Sequence, residues 1–165
     1  MTPDCIISDA TQAFIEREVA IDVASCGSEL LPSTARAYGC SVAADRRRIT
    51  LYLKRSEAGQ LLQDVLVHDR IAAVFCLPAT ESALQIKGRQ VSLSLADEHG
   101  VQVVARHVAR FVAGVIPLGH GRLFAEAYMH ITPADTVALS FVPEVVFEQT
   151  PGPGAGRALP ERGAA

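Results

Sequence analysis

The sequence contains no tryptophan, and only 5% of its 165 residues are aromatic. Proteins that hold single-stranded nucleic acid stack the bases on aromatic side chains, so such a surface is not expected. Positive charge is also scarce, because 15 basic residues are outnumbered by 18 acidic ones and the net charge is -3. Without a broad positive field to hold a polyanion, we expect no nucleic-acid partner.

Long apolar runs are missing as well. No segment approaches the roughly 20 consecutive apolar residues that a membrane span requires. Near the start of the chain, Asp4 and Asp9 break the basic and apolar order of a signal peptide. The sequence therefore predicts a cytoplasmic protein with no membrane partner.

Motifs for metal binding and for covalent catalysis are absent from the sequence. The four cysteines form no CxxC pair, and the five histidines show no HxxxH spacing. We therefore predict no metal site and expect the thiols to be reduced and mostly buried. No GxSxG motif supports a hydrolase, and the sequence identifies no catalytic residue.

What the sequence does contain is a series of short strand patterns interrupted by a few helical ones. The alternation of strands and helices is too irregular for a Rossmann fold. We predict a mainly β (α+β) fold, an antiparallel split β-barrel with flanking helices. The expected elements are a helix at 9–16, strands at 19–24, 32–44, 49–53 and 71–77, a helix from Ser56 to about 69, a long strand at 83–95, a helix after Asp97, a short helix at 122–129 and a strand at 137–147. Residues 1–148 would form the barrel domain, and 149–165 a tail rich in Pro and Gly.

Several details of these elements follow from alternation and from capping. Arg36, Tyr38 and Cys40 are expected on one face of their strand. In the long strand the apolar positions change parity, which predicts a bulge at Gly88. Asp9, Ser56 and Asp97 are expected to cap the helices that follow them.

Four motifs, in their order along the chain, carry a resemblance to a known family. They are Pro32-Ser33-Thr34-Ala35-Arg36, Leu51-Tyr52-Leu53-Lys54-Arg55-Ser56, Leu84-Gln85-Ile86-Lys87-Gly88 and the late strand at 143–149. Over about residues 9–157 the sequence resembles the pyridoxamine 5'-phosphate oxidase-like, FMN-binding split barrels. The resemblance implies a homodimer that holds two FMN molecules at the subunit interface.

The resemblance also implies which residues contact the cofactor. A phosphate would be held by Arg36, Lys54, Arg55 and by the Ser56 hydroxyl beside free helix amides. Gln85 and Lys87 share a strand face and would contact the flavin ring or its ribityl chain. The full set of expected cofactor-binding residues is Ser33, Arg36, Tyr38, Lys54, Arg55, Ser56, Gln85 and Lys87.

The sequence departs from the family at two places. Glu57 stands where the oxidase has Ser and basic residues, and 149–157 lacks the oxidase's Arg- and His-rich motif. Substrate, electron donor and acceptor are therefore open. The first hypothesis is an FMN-dependent oxidoreductase of unknown substrate. The alternatives are a non-enzymatic flavin- or haem-binding protein, with His120 as the haem ligand, and a split barrel without a cofactor.

Overall fold

The computed structural model describes residues 5–163 and contains a closed barrel of six antiparallel strands in the order β2-β3-β4-β7-β6-β5. This confirms the predicted fold class. The strands are β1 Cys5–Ile6, β2 Ala20–Cys26, β3 Pro32–Val42, β4 Ile49–Lys54, β5 Ile71–Cys76, β6 Ala83–Leu95, β7 Thr136–Glu148 and β8 Arg162–Gly163. The helices are α1 Asp9–Ile15, α2 Gly59–His68, α3 Glu98–Val115 and α4 Arg122–Tyr128, with 3-10 turns at Ile116–Leu118 and Pro133–Asp135.

Alternating side chains fill the barrel interior. Ile49, Leu51 and Leu53 of β4 point inward, as their spacing predicts, and join Phe75 and Phe141 in the core. Each such side chain contributes about 1.5–3 kcal/mol by leaving water. One face of α2 belongs to the same core cluster, so this helix packs against the barrel.

A second apolar cluster lies outside the barrel, between α3 and the outer faces of β3 and β4. Asp97 caps α3 as predicted, because its side chain accepts a hydrogen bond from the Gly100 amide at 2.8 Å. The segment Glu98–Leu118 is long and apolar enough, by length and composition, to cross a membrane. Here its apolar side packs on Tyr38 and Tyr52 of the barrel.

Bulges set which side chains of β3 and β6 face outward. The change of parity in β6, predicted at Gly88, lies further along, between Arg89 and Ser92, whereas the register shift at Gly88 has its extra residue, Glu144, on β7. An added Cβ at Gly88 would stand 2.3 Å from the Val142 carbonyl oxygen. The bulge of β3 was not predicted, and it places one extra residue between Ala37 and Cys40. Tyr38 consequently faces the outer cluster while Cys40 faces the barrel core, so the prediction that they share a face is wrong.

Two of the predicted helix caps, Asp9 and Ser56, are also wrong. Ser8 caps α1, since the Thr11 amide donates to its hydroxyl at 3.2 Å. The helix α2 begins at Gly59 without a side-chain cap, because a turn closed by the Lys54 carbonyl separates Ser56 from the helix. A turn of this kind leaves no separate signature in the hydrophobic pattern.

The chain after β7 folds back onto the barrel. The Leu159 amide donates to the Val146 carbonyl at 2.8 Å, and Glu161 accepts from the Ser8 amide and the Thr11 hydroxyl, each at 2.5 Å. The short strand β8 pairs with β1. Whether 149–165 is a separate tail stays a prediction.

Candidate functional site

The outer face of β2, β5 and β6 carries a row of side chains from neighbouring strands. Arg36 pairs with Asp22, Asp22 with Val74, Val74 with Gln85, and Gln85 with Phe147. Three strand spacings of about 4.8 Å separate Arg36 from Gln85, or about 14 Å. The sheet register thus brings two distant predicted residues to one side of the barrel.

Small side chains lie next to this row. Ala24 and Ala72 are paired neighbours, and Lys87 stands opposite Ala72 on β6. The Lys87 ammonium lies 5.3 Å from the centre of the Phe147 ring, within range of a cation–π contact. We call the surface formed by Arg36, Asp22, Val74, Gln85 and Lys87 with these alanines the open face. The small alanine side chains leave room for a flat group against the sheet.

The Glu57 carboxylate, in the turn after β4, binds two of the predicted cofactor-binding residues, Lys54 and Tyr38. The Lys54 ammonium lies 2.7 Å from one oxygen of Glu57, and the Tyr38 hydroxyl donates to the other at 3.2 Å. Hydrogen bonding to Lys54 lowers the pKa of Glu57, and the same bond raises the pKa of Lys54. Burial, and then the charge of Glu57, raises the pKa of Tyr38. The charge of Lys54 is therefore already neutralised.

A second carboxylate holds Ser56. Both its amide and its hydroxyl donate to Asp135, at 2.9 and 2.5 Å, and the hydrogen bond from the hydroxyl lowers the pKa of Asp135. The Arg55 amide donates to the Asp135 carbonyl at 2.7 Å, which fixes the turn before α2. Ser56 therefore faces an acceptor and does not offer a free hydroxyl to an anion.

Arg36 differs from Lys54 in its surroundings. Among the described residues it forms no ion pair, and its guanidinium lies over the Tyr128 ring at 3.8 Å from the ring centre. Tyr128 stacks on Phe124 at 5.8 Å, and Phe124 stacks on His120 at 6.4 Å. We call the three rings the α4 stack. It lies next to the open face and is largely exposed to solvent.

The structure thus separates the predicted residues into three groups. Arg36, Gln85 and Lys87 lie on the open face. The second group lies beside the carboxylates of Glu57 and Asp135 and consists of Tyr38, Lys54, Arg55 and Ser56. Ser33 is different again, since alternation with Ala35 and Ala37 turns it toward the interior, where its hydroxyl has no hydrogen-bond partner among residues 5–163. A phosphate therefore fits Arg36 but does not fit the surroundings of Lys54 and Ser56.

The sequence indicated Glu57 as an opposing charge, but it did not indicate Asp135 or the contact of Tyr128 with Arg36. Both come from segments about 80–90 residues away in the chain, and neither belongs to a motif. Only the barrel closure between β4 and β7 brings Asp135 to the turn after β4. No local signal was available to find either residue.

The barrel topology has the fold of the split barrels of the pyridoxamine 5'-phosphate oxidase type. Three solved structures share the fold. HupZ of Group A Streptococcus matches with a TM-score of 0.53 and 12% identity, over 92% of this chain and 98% of its own. A candidate pyridoxamine 5'-phosphate oxidase from Lactobacillus delbrueckii matches with a TM-score of 0.53 and 10% identity, over 86% of this chain and 93% of its own. HutZ, the haem storage protein from Vibrio cholerae, matches with a TM-score of 0.51 and 14% identity, over 86% of this chain and 94% of its own.

The predicted resemblance is therefore confirmed at the level of the fold. No protein-family model and no curated protein matches the sequence. One of these structures is a candidate oxidase and another is a haem storage protein, so proteins of different function share this fold.

Proposed function

We propose that this chain is an FMN-binding flavoprotein that holds the cofactor along the open face and acts as an oxidoreductase in the cytoplasm. The observation that carries the proposal is the placement of Arg36 and Gln85 in one cross-strand row, with small side chains beside it. An elongated cofactor, with a phosphate at one end and a flat ring at the other, suits such a row. The chemistry that FMN supplies when bound is hydride or electron transfer.

The residues of the open face would have distinct roles toward that cofactor. Arg36 has a fork of donors that matches a phosphate, and it forms no salt bridge within the described chain, although Asp22 is its cross-strand neighbour. Gln85 offers both a donor and an acceptor to the polar edge of a ring. Lys87 brings a positive charge that would stabilise an anionic, reduced ring.

A homodimer is part of the proposal, because the open face would otherwise expose the cofactor to water. Val74 and the alanines next to it are apolar and only half-buried in a single chain. A second subunit laid on this face would cover them and the cofactor together. The substrate and the electron donor follow from nothing in the site.

The test is a titration of the purified protein with FMN, read by flavin absorbance and fluorescence. Replacing Arg36 by Ala removes a charged hydrogen bond worth about 1.5–3 kcal/mol, so the Kd should rise at least about tenfold. Arg70→Ala is the matched control, since Arg70 is exposed and lies outside the open face. Equal affinity of the Arg36 variant and the wild type would overturn the assignment of the phosphate contact.

A second candidate function is haem binding, and the α4 stack favours it. His120 is exposed at the end of this stack, so an imidazole stands beside two rings that a flat macrocycle can contact. In residues 5–163 no three His, Cys, Asp or Glu side chains group as a metal site, but haem iron needs only one axial ligand. A Soret band that disappears in His120→Ala would favour this function over the flavoprotein.

A further inference from the structure

A groove runs along the edge of α3 beside the ends of β3 and β4. It consists of two cavities of about 300 and 560 Å³, which share Ser41, Val42 and His99 and are therefore adjacent. We call it the α3 groove. None of the predicted cofactor-binding residues lines it, and its volume is that of a small-molecule site.

One end of the α3 groove is strongly basic. Arg106 and Arg110 line the smaller cavity from α3, where a spacing of four residues places them on the same side of the helix. Neither forms an ion pair within the described chain, although Glu16 lines the same cavity. The Glu16 carboxylate instead accepts a hydrogen bond from the Val42 amide at 3.2 Å. Two adjacent guanidinium groups without a partner favour a phosphate, which each can bind with two hydrogen bonds.

His107 adds a buried polar group to the basic end. It lines the same cavity, only 6% of it is exposed, and its Nε2 has no hydrogen-bond partner among residues 5–163. That nitrogen is itself inaccessible to water, so the ring forms part of the cavity wall and the two arginines are the groups that can bind an anion there.

The other end of the α3 groove is lined by hydroxyl groups. Ser41, Thr50 and Ser140 follow one another across β3, β4 and β7, and the last two share a hydrogen bond of 2.7 Å. The Ser41 hydroxyl lies 3.3 Å from that of Tyr52. Hydroxyl groups both donate and accept, so a row of them matches a ligand that itself carries several hydroxyl groups.

We propose that the α3 groove binds the phosphate monoester of a small polyol, such as a sugar phosphate. The phosphate lies between Arg106 and Arg110, and the polyol chain lies along the hydroxyl groups of β3, β4 and β7. This inference does not depend on the flavin proposal, because the two sites share no residue. FMN also carries a ribityl phosphate, so the experiment has to separate a free sugar phosphate from the cofactor.

The test is isothermal titration calorimetry of the full chain with ribose 5-phosphate, with ribose and with inorganic phosphate as separate probes. The wild type should bind ribose 5-phosphate at least about tenfold more tightly than it binds ribose or inorganic phosphate alone. Arg106→Ala and Arg110→Ala should each weaken binding at least about tenfold, while Arg70→Ala leaves it unchanged. An equal loss in all three variants would show general charge attraction and overturn the site.

The hydroxyl end is tested by Thr50→Val, which keeps the shape of the side chain and the preference for a strand. Binding of ribose 5-phosphate should weaken severalfold, whereas binding of inorganic phosphate should not change. If ribose 5-phosphate and inorganic phosphate bind equally well to both proteins, the groove is a simple anion site and the polyol part of the inference is wrong.

A final arm repeats the titration with FMN present at saturation. Retained binding of ribose 5-phosphate, together with loss of FMN binding in Arg36→Ala alone, supports two separate sites. Competition between the two ligands, with FMN binding lost in Arg106→Ala, would keep the groove as a polyol phosphate site but overturn the placement of FMN on the open face. If the wild type does not bind ribose 5-phosphate, this inference fails while the FMN result stands.

Discussion

The charge that a single residue offers to a ligand depends mainly on its neighbours, both on the open face and in the α3 groove. Lys54 and Arg36 carry the same charge, yet Glu57 neutralises one while the other lies on the ring of Tyr128. His107 shows the opposite case, since burial removes its charge. Desolvation lowers the pKa of His107 to about 4, with a smaller effect in the same direction from Arg110, against a hydrogen bond to the Val19 backbone and the charge of Glu18.

This lowered pKa predicts a pH dependence of stability. His107 binds a proton less readily in the folded state than in the unfolded state, where its pKa has the ordinary value of about 6.5. Neutral His107 therefore contributes to the free energy of unfolding in full above pH 6.5. This contribution is lost as the pH falls toward 4, and the total loss is on the order of 3 kcal/mol. Urea unfolding at pH 7 and pH 5 measures it.

His107→Gln should flatten this dependence, because glutamine does not titrate. The exposed His130, replaced in the same way, serves as the control and should leave the wild-type dependence intact. An equal loss of stability between pH 7 and pH 5 in wild type and His107→Gln would mean that other groups cause it.

At the scale of elements, what could be predicted depended on whether the signal is local. The Asp97 cap was found because a capping side chain can be read from adjacent residues, and so can the change of parity in β6, although its bulge lies between Arg89 and Ser92 and not at Gly88. The extra residue at Tyr38–Gly39 could not be found, because it exists to fit β3 beneath α3. The contact of Ser56 with Asp135 likewise depends on strand pairing across the barrel.

The close approach of β6 and β7 at Gly88 gives a prediction at the scale of elements. In Gly88→Ala the new methyl group would meet the Val142 carbonyl at 2.3 Å and the Phe141 ring at 2.5 Å. Both belong to β7, so the barrel wall must shift, and we expect a loss of at least about 1–3 kcal/mol in the free energy of unfolding.

Gly59→Ala provides the matched control, since no atom lies within 4 Å of its added Cβ and it begins α2. Alanine there should be neutral or stabilise by up to about 1 kcal/mol. Chemical denaturation of both variants separates the two cases. Comparable stability of Gly88→Ala and the wild type would contradict the close approach of β6 and β7.

At the scale of the whole molecule, the antiparallel barrel was predicted, although not its strand order, because many short strands with one helix after the third strand favour this fold. The two sides of the barrel are used differently. The helix α3 covers Tyr38 and Tyr52, while the open face carries half-buried apolar side chains with no helix of the described chain laid over Val74. This asymmetry is what favours a second subunit.

A homodimer through the open face predicts the effect of a charge placed at its centre. Val74→Arg should convert a dimer, with twice the chain mass of 17.6 kDa, into a monomer, because a long charged side chain in place of an apolar one would hold the two faces apart. Sedimentation equilibrium measures the mass directly. Val67→Arg, on the exposed side of α2, is the control and should remain dimeric. A Val74 variant that stays dimeric would move the interface elsewhere.

FMN binding to the open face can be tested directly by an absorbance spectrum of the protein. Purified protein is mixed with FMN, freed of excess by gel filtration and scanned from the ultraviolet to the visible. We predict that the wild type retains the two flavin absorbance bands and that Arg36→Ala loses most of them. A wild-type protein that emerges colourless after this treatment would contradict the account and favour a barrel without a flavin.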